Sequence, residues 1–460
     1  MGGSLLSSLF IASQALDVDQ GAIDVSANNI ANANTPGYSR EVVDLSENTP
    51  VETANLTYGT GVNLEQIQSI RDQVLTLQIA EQTAQQSGAQ TELNALQQVE
   101  ALFSTPSQGI GADISAFFNS VSQLSTDPSN AALRSAVITA AQNLAISFNQ
   151  TSQSITTNQL TLNQSVSQTV DQINTLTQQI AHINAQVGAM QQLGKDPGGL
   201  EDQENQLINQ LSQLTSVSET QTQEGLTLTT GNGTALVVGN QSYALQVQTG
   251  ASGMQDVFSN GQDITSTIQG GILGGTIQVR DQDLPGLLNQ LDTLAGQFAT
   301  SFNTAQAAGF DLNGNPGQAL FSVTAGPGAA ASFSLATTNA NAIAASSDGS
   351  QGSNGNVANL MAVSTQPLPS GDTPTNSYAA IVSQSGILAK QAQAEVTAST
   401  TSINQLSDQL GAISGVSINE ETTNLLNYQN AFSAAARVVS TVAQLTQTVL
   451  NMGSGSATTS

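Results

Sequence analysis

The sequence predicts a mainly α-helical protein, with paired long terminal helices and a helical-bundle body that carries an inserted, discontinuous β domain. Apolar residues recur with heptad spacing near both ends of the chain, which is typical of long helices that pair. A third heptad pattern runs over residues 155–190. Between the helical segments, stretches such as "GLTLTTGNGTALVVGNQSYALQVQT" (225–249) alternate with period two, which indicates strands.

The composition limits the classes of partner. The charged fraction is 9%, against a usual value of about 25%. The net charge is −26 with seven basic residues, which disfavours nucleic acid and anionic membrane surfaces as partners. The chain has no cysteine, which excludes disulfides and thiolate metal sites, and no apolar run long enough for membrane insertion.

The N-terminal segment predicts a helix from Ser4 to Ala33. Its first heptad row consists of Leu9, Leu16, Ile23 and Ile30, and its second of Ile11, Val18 and Val25. At about 100° per residue these rows point to nearly opposite faces, so we expect neighbours on both sides, as in a stacked assembly. No Lys or Arg precedes the apolar stretch, so we expect no cleaved signal peptide, and if the protein leaves the cell another route must carry it.

The helix runs into "VSANNIANANTPGYSRE" (25–41), where Thr35-Pro36-Gly37 ends it. Residues 38–64 are expected to be extended or looped. Helical spacing returns over 67–103, and another helix begins near Asn130. The turn "GKDPGG" (194–199) then starts a returning helix, so the two are predicted to form an αα-hairpin.

Strand patterns continue to "GGTIQV" (274–279) and resume at 319–345, with helical spacing between them from Leu284 to Phe298. A linker at 366–377 precedes another long helix. We therefore expect three domains: a terminal coiled-coil assembly domain (1–65 with 412–460), a helical body (66–216 with 280–318 and 365–411) and an inserted β domain (217–279 with 319–364).

The last segment, 417–452, predicts a long helix that starts at a capping box formed by Ser417 and Glu420. Its heptad rows are Ile418, Leu425, Phe432 and Val439, and Tyr428, Ala435, Val442 and Val449. The simplest arrangement pairs this helix with the N-terminal one, and extra apolar stripes then remain for neighbouring subunits.

Two motifs at opposite ends carry a family resemblance. "SANNIANANTPGYSR" resembles the N-terminal signature of bacterial flagellar axial proteins, which comprise rod, hook and hook-associated proteins. Within that group, "GYSRE", the C-terminal "GVSINEETTNLLNYQNAFSAAARVVSTVAQL" and residues 270–317 resemble the family of the first hook–filament junction protein. Hook and rod relatives usually have alanine where Tyr428 stands, which argues against the alternative of a hook or rod subunit.

The resemblance implies a structural subunit that forms a ring or tube layer with identical copies, with both terminal helices in the inner wall. It implies three further partners: the hook protein, the second junction protein, and an export chaperone that binds the C-terminal helix. It also implies type III export to the hook–filament junction, outside the cell.

With that resemblance, we expect subunit-interface residues on both terminal segments. They are Leu9, Leu16, Ile23, Asn28, Asn29, Ile30, Asn32, Asn34, Thr35, Pro36, Gly37, Tyr38, Leu425, Tyr428, Phe432, Val439, Val442 and Val449. For the chaperone we expect Leu425, Phe432, Val439 and Val442. The asparagines would supply amide groups to a wet subunit interface, and the local alternative is a helix end with ordinary capping asparagines.

The other motifs do not indicate a metal site or a catalytic site. His182 lies on a heptad helix with no second histidine or cysteine, which indicates a solvated or interface position. "DLNGNPGQALFS" (311–322) has Pro316 and Ser322 where a calcium loop needs glycine and glutamate, so a plain turn is favoured. Adjacent Glu420 and Glu421 diverge by about 100° on a helix and suit capping better than catalysis.

We therefore predict a protein that is not an enzyme and has no cofactor or metal. The alternative from another class is a secreted glycan hydrolase or adhesin that uses the β domain. Five tyrosines and no tryptophan weaken it, since sugar binding usually needs aromatic residues beside acids.

Overall fold

The computed structural model describes residues 2–53, 56–103, 109–222 and 225–454, and it is mainly helical. The helices are α1 (Gly2–Asn32), α2 (Gln73–Phe103), α3 (Ile110–Leu124), α4 (Ala131–Gln192), α5 (Gly198–Leu214), α6 (Gly271–Gln278), α7 (Leu284–Ala307), α8 (Ala329–Ser332), α9 (Val357–Thr365), α10 (Pro374–Ser414) and α11 (Ile418–Ser454). The predicted fold class, long terminal helices around a helical body with an inserted β region, is confirmed.

The strands are short and belong to five small antiparallel sheets within the described residues. They are β1 (Glu41–Glu47), β2 (Val51–Thr53), β3 (Leu56–Tyr58), β4 (Val62–Ser69), β5 (Val217–Thr222), β6 (Gly225–Thr230), β7 (Ala235–Val238), β8 (Gln241–Ser242), β9 (Gln246–Thr249), β10 (Gln255–Ser259), β11 (Gln262–Asp263), β12 (Phe321–Ser322) and β13 (Ser334–Leu335). Strands β1 and β4 pair from Glu41↔Ser69 to Glu47↔Val62, and β2 pairs with β3, so residues 41–53 and 56–69 form a β-ribbon.

The 62-residue helix α4 connects two hydrophobic cores. At 1.5 Å per residue it is about 93 Å long. It begins at Asn130, whose side chain accepts the backbone N–H groups of Ala132 and Leu133 as an N-cap. Its first half contributes Phe148 to one core, and its second half contributes Ile173 to the other. The helix therefore holds the two parts of the body together.

The first core is a phenylalanine cluster between α3, α4, α7 and the segment that follows α7. Phe117 is fully buried, and its ring centroid lies 5.0 Å from that of Phe302 and 5.5 Å from that of Phe321. The ring centroids of Phe148 and Phe333 lie 4.8 Å apart. Edge-on contacts such as those of Phe117 add to the free energy of burial, so this cluster stabilises the body strongly.

The second core lies under the β insertion. The four-stranded sheet β5-β6-β7-β8 and the three-stranded sheet β11-β10-β9 pack on the second half of α4, on α5 and on α6. Asn184 of α4 tethers the larger sheet, because its side-chain amide donates to the carbonyls of Leu226 and Gly239 at 2.8 Å each.

Residues 274–279, expected to be a strand, are helical. They lie in α6 and in the π-helical turn Val279–Asp283 that leads into α7. A Cβ atom at Gly275 would lie 2.3 Å from the carbonyl oxygen of Gly88, so the glycines let α6 approach the backbone of α2. The strand expectation was wrong because these glycines serve a close helix contact and not a turn.

Residues 319–345, also expected to be β, contain only the two-residue strands β12 and β13, which pair with each other. Helix side chains satisfy much of the backbone instead. Asn303 donates to the carbonyl of Phe321 at 2.8 Å, Asp292 accepts the N–H of Ala330 at 2.8 Å, and buried Arg134 donates to the carbonyl of Ile343 at 2.9 Å. The segment therefore packs on the first core and does not join the sheets of the 217–263 region.

None of the helices in the described parts of the chain is long and apolar enough to cross a membrane.

Candidate assembly interface

The two terminal helices lie side by side and run in opposite directions. The backbone N–H of Arg40, shortly after α1, donates to the carbonyl of Ser414 at 3.0 Å. The Arg40 guanidinium also pairs with the Glu420 carboxylate at 3.3 Å. Because α11 starts beside the end of α1, it runs back along α1 towards its N-terminus.

One face of α11 forms the seam with α1. Its buried or half-buried residues recur at alternating spacings of four and three, which is the pattern of a two-helix seam. The residues in this row are Glu421, Leu425, Tyr428, Phe432, Ala435, Val439 and Val442, and half-buried Asn424 and Ala436 lie beside it. The two predicted heptad rows therefore combine into one seam.

This seam changes the interpretation of the predicted interface residues on α11. Leu425, Tyr428, Phe432 and Val439 are half-buried, and Val442 is buried, against a helix of the same chain. Val449 is the exception, with 53% of its surface exposed. The heptad pattern led us to expect that this row contacts other subunits. Within the single chain, the same row packs against α1.

Helix α1 has neighbours on two sides, as its two apolar rows predict, but both belong to the same chain. One side meets α11, and the other meets the ribbon β1–β4. On the ribbon side, Asn48 donates to the side-chain oxygen of Gln14 at 2.9 Å. Leu9, Leu16, Ile23 and Ile30 are half-buried in this arrangement, whereas Ala12, Val18, Ala22 and Val25 are buried.

Asn29 joins the end of α1 to the first strand. Its side-chain amide donates to the carbonyl of Glu41 at 2.8 Å, and its oxygen accepts the N–H of Glu41 at 2.9 Å and the hydroxyl of Tyr38 at 2.8 Å. Asn29 is fully buried. Within the single chain, Asn29 therefore joins α1 to β1 through its own hydrogen bonds.

The other asparagines at this helix end are more accessible. Asn28 donates to the Glu41 carboxylate at 3.2 Å, and Asn32 donates to Asn28 Oδ1 at 2.8 Å. The Thr35 hydroxyl donates to Asn32 Oδ1 at 3.2 Å, which resembles the capping alternative. Asn34, Thr35, Pro36 and Gly37 are exposed and remain candidates for contact with another molecule.

A polar joint fastens this turn to the body. Asp202 of α5 accepts the N–H of Ser39 at 2.9 Å and its hydroxyl at 2.7 Å, and it also pairs with Arg71 at 2.8 Å. Gln206, one turn further, donates to the carbonyl of Pro36 at 2.8 Å. We call Ser39, Arg71, Asp202 and Gln206 the joint.

The joint shapes the environment of Tyr38. Burial first, and then the nearby carboxylates of Glu41, Asp202 and Glu421, raise the pKa of the Tyr38 hydroxyl, so it stays protonated and donates to Asn29. Sequence reasoning missed Arg71, Asp202 and Gln206. Arg71 carried a usable signal, since a chain with seven basic residues and 33 acidic ones offers each cation many carboxylates as partners.

The free end of the helix pair is exposed. Every side chain of α11 from Ala443 to Met452 is exposed, including the apolar Leu445, Val449, Leu450 and Met452. On α1, Leu6 and Phe10 are 67% and 60% exposed. Leu426 and Val438 extend this apolar surface along the outside of α11. We call these eight residues the exposed apolar stripe, which the sequence anticipated only in general terms.

The remaining motifs are an exposed histidine and a turn. His182 is exposed, with a ring nitrogen 3.0 Å from the amide of Gln186. The Asp311 carboxylate accepts the N–H groups of Asn313 and Asn315 at 2.8 Å each, as in a turn. The described residues contain no group of three or more metal-ligating side chains.

The predicted capping box of α11 is half formed. The Ser417 hydroxyl accepts the N–H of Glu420 at 3.4 Å, as the pattern predicts. The Glu420 carboxylate pairs with Arg40 instead of reaching back to the helix start. The residue predicted to cap the helix therefore also ties it to the turn after α1.

Comparison with known proteins decides the family. The flagellar hook-associated protein 1 of Bacillus subtilis (strain 168) is 30% identical over 98% of this chain and 99% of its own length. This chain belongs to the flagellar hook-associated protein 1 family. The homologue of Escherichia coli (strain K12) is 29% identical over 68% of this chain and 59% of its own length. The family resemblance inferred from the two terminal motifs is thereby confirmed, and the alternative of a hook or rod subunit is not favoured.

Profiles of flagellar domains match three parts of the chain. The flagellar hook-associated protein FlgK helical domain matches residues 96–321. The flagella basal body rod protein family matches 9–38, and the flagellar basal body rod FlgEFG protein C-terminal family matches 411–452. The last two matches contain most of α1 and α11. Membership of this family implies a structural protein of the flagellum.

A solved structure shares the fold. The flagellar hook junction protein FlgK from Burkholderia pseudomallei aligns with a TM-score of 0.68 at 19% identity, over 74% of this chain and 100% of that chain.

Proposed function

We propose that this protein is a structural subunit that joins hook to filament by assembling into a ring or tube layer through α1 and α11. The observation that carries the proposal is the exposed apolar stripe at the free end of the helix pair. The body closes its own cores, whereas the terminal pair leaves Leu445, Val449, Leu450 and Met452 in water. Burying one such side chain contributes about 1.5–3 kcal/mol, so copies gain free energy by packing these ends together.

The charge pattern supports close packing of the terminal helices. Residues 2–32 and 418–454 contain six charged side chains, so little repulsion opposes a layer of neighbouring helices. A layer of identical subunits then presents one rim to the hook protein and the other to the second junction protein. The helical body and the β insertion over 217–263 would lie outside this layer.

Export requires the subunit to remain unassembled inside the cell. We propose that it leaves through the flagellar type III apparatus without a cleaved signal peptide, and that a dedicated chaperone binds α11. The predicted chaperone residues Leu425, Phe432, Val439 and Val442 lie in the seam with α1. A chaperone would therefore bind α11 while it is separated from α1, which also prevents premature assembly.

Electron microscopy of a strain lacking the gene tests the function, and we expect hooks without filaments. Deleting residues 425–452 should give the same result. A finer variant, Leu445→Ser with Val449→Ser and Met452→Ser, should lower incorporation while leaving the body folded. The matched control on the same exposed helix is Thr441→Ser with Gln444→Ser and Thr448→Ser, which removes no large apolar side chain. Normal filament attachment in the deletion strain would refute the proposal.

A further inference from the structure

The methionines of this chain differ in how far solvent reaches them. Four of the five lie in the described residues, and three of these, Met190, Met254 and Met361, are half-buried. Met452, near the end of α11, is 66% exposed. Oxidants attack sulfur-containing side chains, and the extent of attack follows exposure. Because the chain has no cysteine, Met452 carries the most accessible oxidisable sulfur in the described residues.

Met452 belongs to the exposed apolar stripe. Leu445, Val449 and Met452 recur at spacings of four and three, so they share one face of α11. Residues 438–452 contain no charged side chain. The neighbours of Met452 on this face are hydrocarbon side chains, which offer no hydrogen-bond donor. If another copy covers the stripe, the sulfur enters apolar surroundings that suit a thioether but not a polar group.

Oxidation makes this side chain polar. A hydroperoxide such as hydrogen peroxide transfers one oxygen atom to the sulfur lone pair, its O–O bond breaks, and water is released. The sulfur loses two electrons and the peroxide gains them. The product, methionine sulfoxide, carries an oxygen that accepts hydrogen bonds from water in the free subunit. Burial beside Leu445 and Val449 would leave that oxygen without a donor, which disfavours the packed state.

We propose that Met452 is a redox-sensitive assembly contact. Its oxidation in the free subunit lowers incorporation into the layer, and incorporation shields the sulfur, since a peroxide does not reach a buried side chain. The inference rests on the proposed function, because it takes the stripe to be buried between copies. It requires only that Met452 is buried there, whatever the relative placement of the copies.

Oxidative footprinting tests the shielding. The purified full-length subunit and intact hook–filament organelles isolated from cells receive the same brief treatment with hydrogen peroxide, and peptide mass spectrometry measures the sulfoxide at each methionine. We expect Met452 to be oxidised at least about tenfold more slowly in the organelle than in the free subunit. Met190 and Met254 are internal controls outside the stripe, and their oxidation should differ by less than about twofold between the two samples.

The effect on assembly is measured in a strain that lacks the gene and produces full-length variants. Met452→Gln replaces the thioether with a polar side chain of similar length. It should lower the fraction of hooks that carry filaments by about threefold to tenfold. Met452→Leu stays apolar and cannot form a sulfoxide, so it should attach filaments better than Met452→Gln. The melting temperature and exported amount of Met452→Gln should match the unaltered protein, since the side chain lies in water in the free subunit.

The matched control is Met190→Gln. It makes the same chemical change on α4, at a half-buried position outside the stripe, and should leave attachment unaltered.

Four results would overturn the inference: equal oxidation of Met452 in subunit and organelle, normal attachment with Met452→Gln, an equal loss with Met190→Gln, or an equal loss with Met452→Leu. A gene-deletion strain that keeps its filaments would instead overturn the proposed function. If the deletion strain loses filaments while Met452→Gln keeps them, the redox inference alone fails.

Discussion

The body and the terminal helix pair are both helical, but they differ in how completely one chain buries them. In the body, Phe117, Phe298, Phe302 and Phe321 are at most 1% exposed and touch one another's rings. In the terminal pair, Glu421 and Val442 are the only buried side chains in the described part of α11. The same chain thus contains one region whose large apolar side chains are buried within the monomer and one region in which many of them stay exposed.

The difference follows from how many apolar faces each region must cover. Helices of the body have partners on several sides, including the sheets and the segment after α7. Helix α11 has one large partner, α1, so only one stripe of its surface can be covered within the chain. In the monomer, the seam with α1 stabilises α11. The apolar side chains of α11 that lie outside the seam are then available for assembly.

Truncating the central ring of the phenylalanine cluster should destabilise the protein far more than truncating an apolar side chain on α11. Phe117→Ala removes a fully buried ring that touches four others, and we expect it to reduce the free energy of unfolding by about 3–5 kcal/mol. Leu445→Ala is the matched truncation on α11, where the side chain is 48% exposed, and should change it by less than about 0.5 kcal/mol. Urea unfolding of the purified monomer followed by circular dichroism measures both. Comparable losses would mean that the terminal pair is as well packed as the body.

The joint between the two regions can be loosened at one glycine. Gly37 has a φ of +79°, and a Cβ there would lie 2.9 Å from Nε2 of Gln206. Gly37→Ala should therefore cost about 1–3 kcal/mol locally, through left-handed strain and loss of the hydrogen bond from Gln206 to Pro36. Hydrogen exchange of the β1 amides should become faster.

Gly194→Ala is the control for that experiment. Gly194 has a φ of +66°, but no atom lies within 4 Å of the place that a Cβ would take, so the substitution adds the strain without the contact. Since Gly194 lies in the turn between α4 and α5, exchange in β1 should stay as in the unaltered protein. Faster exchange in β1 with both variants would show that the joint does not depend on Gln206.

The terminal helices were predictable from sequence because their spacing is a local property. Heptad rows on Leu9, Leu16 and Leu425 need no knowledge of the partner, and pairing is the simplest way to cover two long apolar stripes. The failed strands show the limit of this reasoning. Whether "GGTIQV" becomes strand or helix depends on Gly88, which lies far away in sequence and accepts the close approach of Gly275.

The candidate site was only partly predictable for a similar reason. A heptad row shows that a face is covered but not whether the cover is the same chain or a neighbour, so Phe432 and Val439 were assigned to subunit contacts. Asn29 was one of four asparagines expected at a subunit interface, and its intrachain partners Tyr38 and Glu41 lie on the other side of a turn whose path the sequence does not specify. Asp202 could not be identified from the sequence because its partners Ser39 and Arg71 are distant in sequence.

The smallest predicted effect concerns a buried carboxyl of the body. Burial first, and then the carboxylates of Glu219 and Glu201, raise the pKa of Glu204 from an ordinary value of 4.5 to about 7. Its Oε1 atom is buried and has no hydrogen-bond partner within the described residues. The folded state binds this proton more tightly than the unfolded state. The contribution of Glu204 to the free energy of unfolding is therefore fully present below pH 4.5 and is lost as the pH rises through 7.

Glu204→Gln keeps the shape of the protonated side chain and removes the titration. We therefore expect the variant to be more stable than the unaltered protein by about 1–2 kcal/mol at about pH 8 and nearly equal to it at about pH 5. Urea unfolding at the two pH values measures the difference. Glu92, whose pKa is raised to about 7 by burial and then by Asp283 and Glu395, lies on α2 beside the other core. The gain from Glu92→Gln should add to that of Glu204→Gln at the higher pH, since neither carboxylate is among the groups that raise the pKa of the other. A gain that is the same at both pH values would show that the carboxylate charge is not what limits the stability of the body.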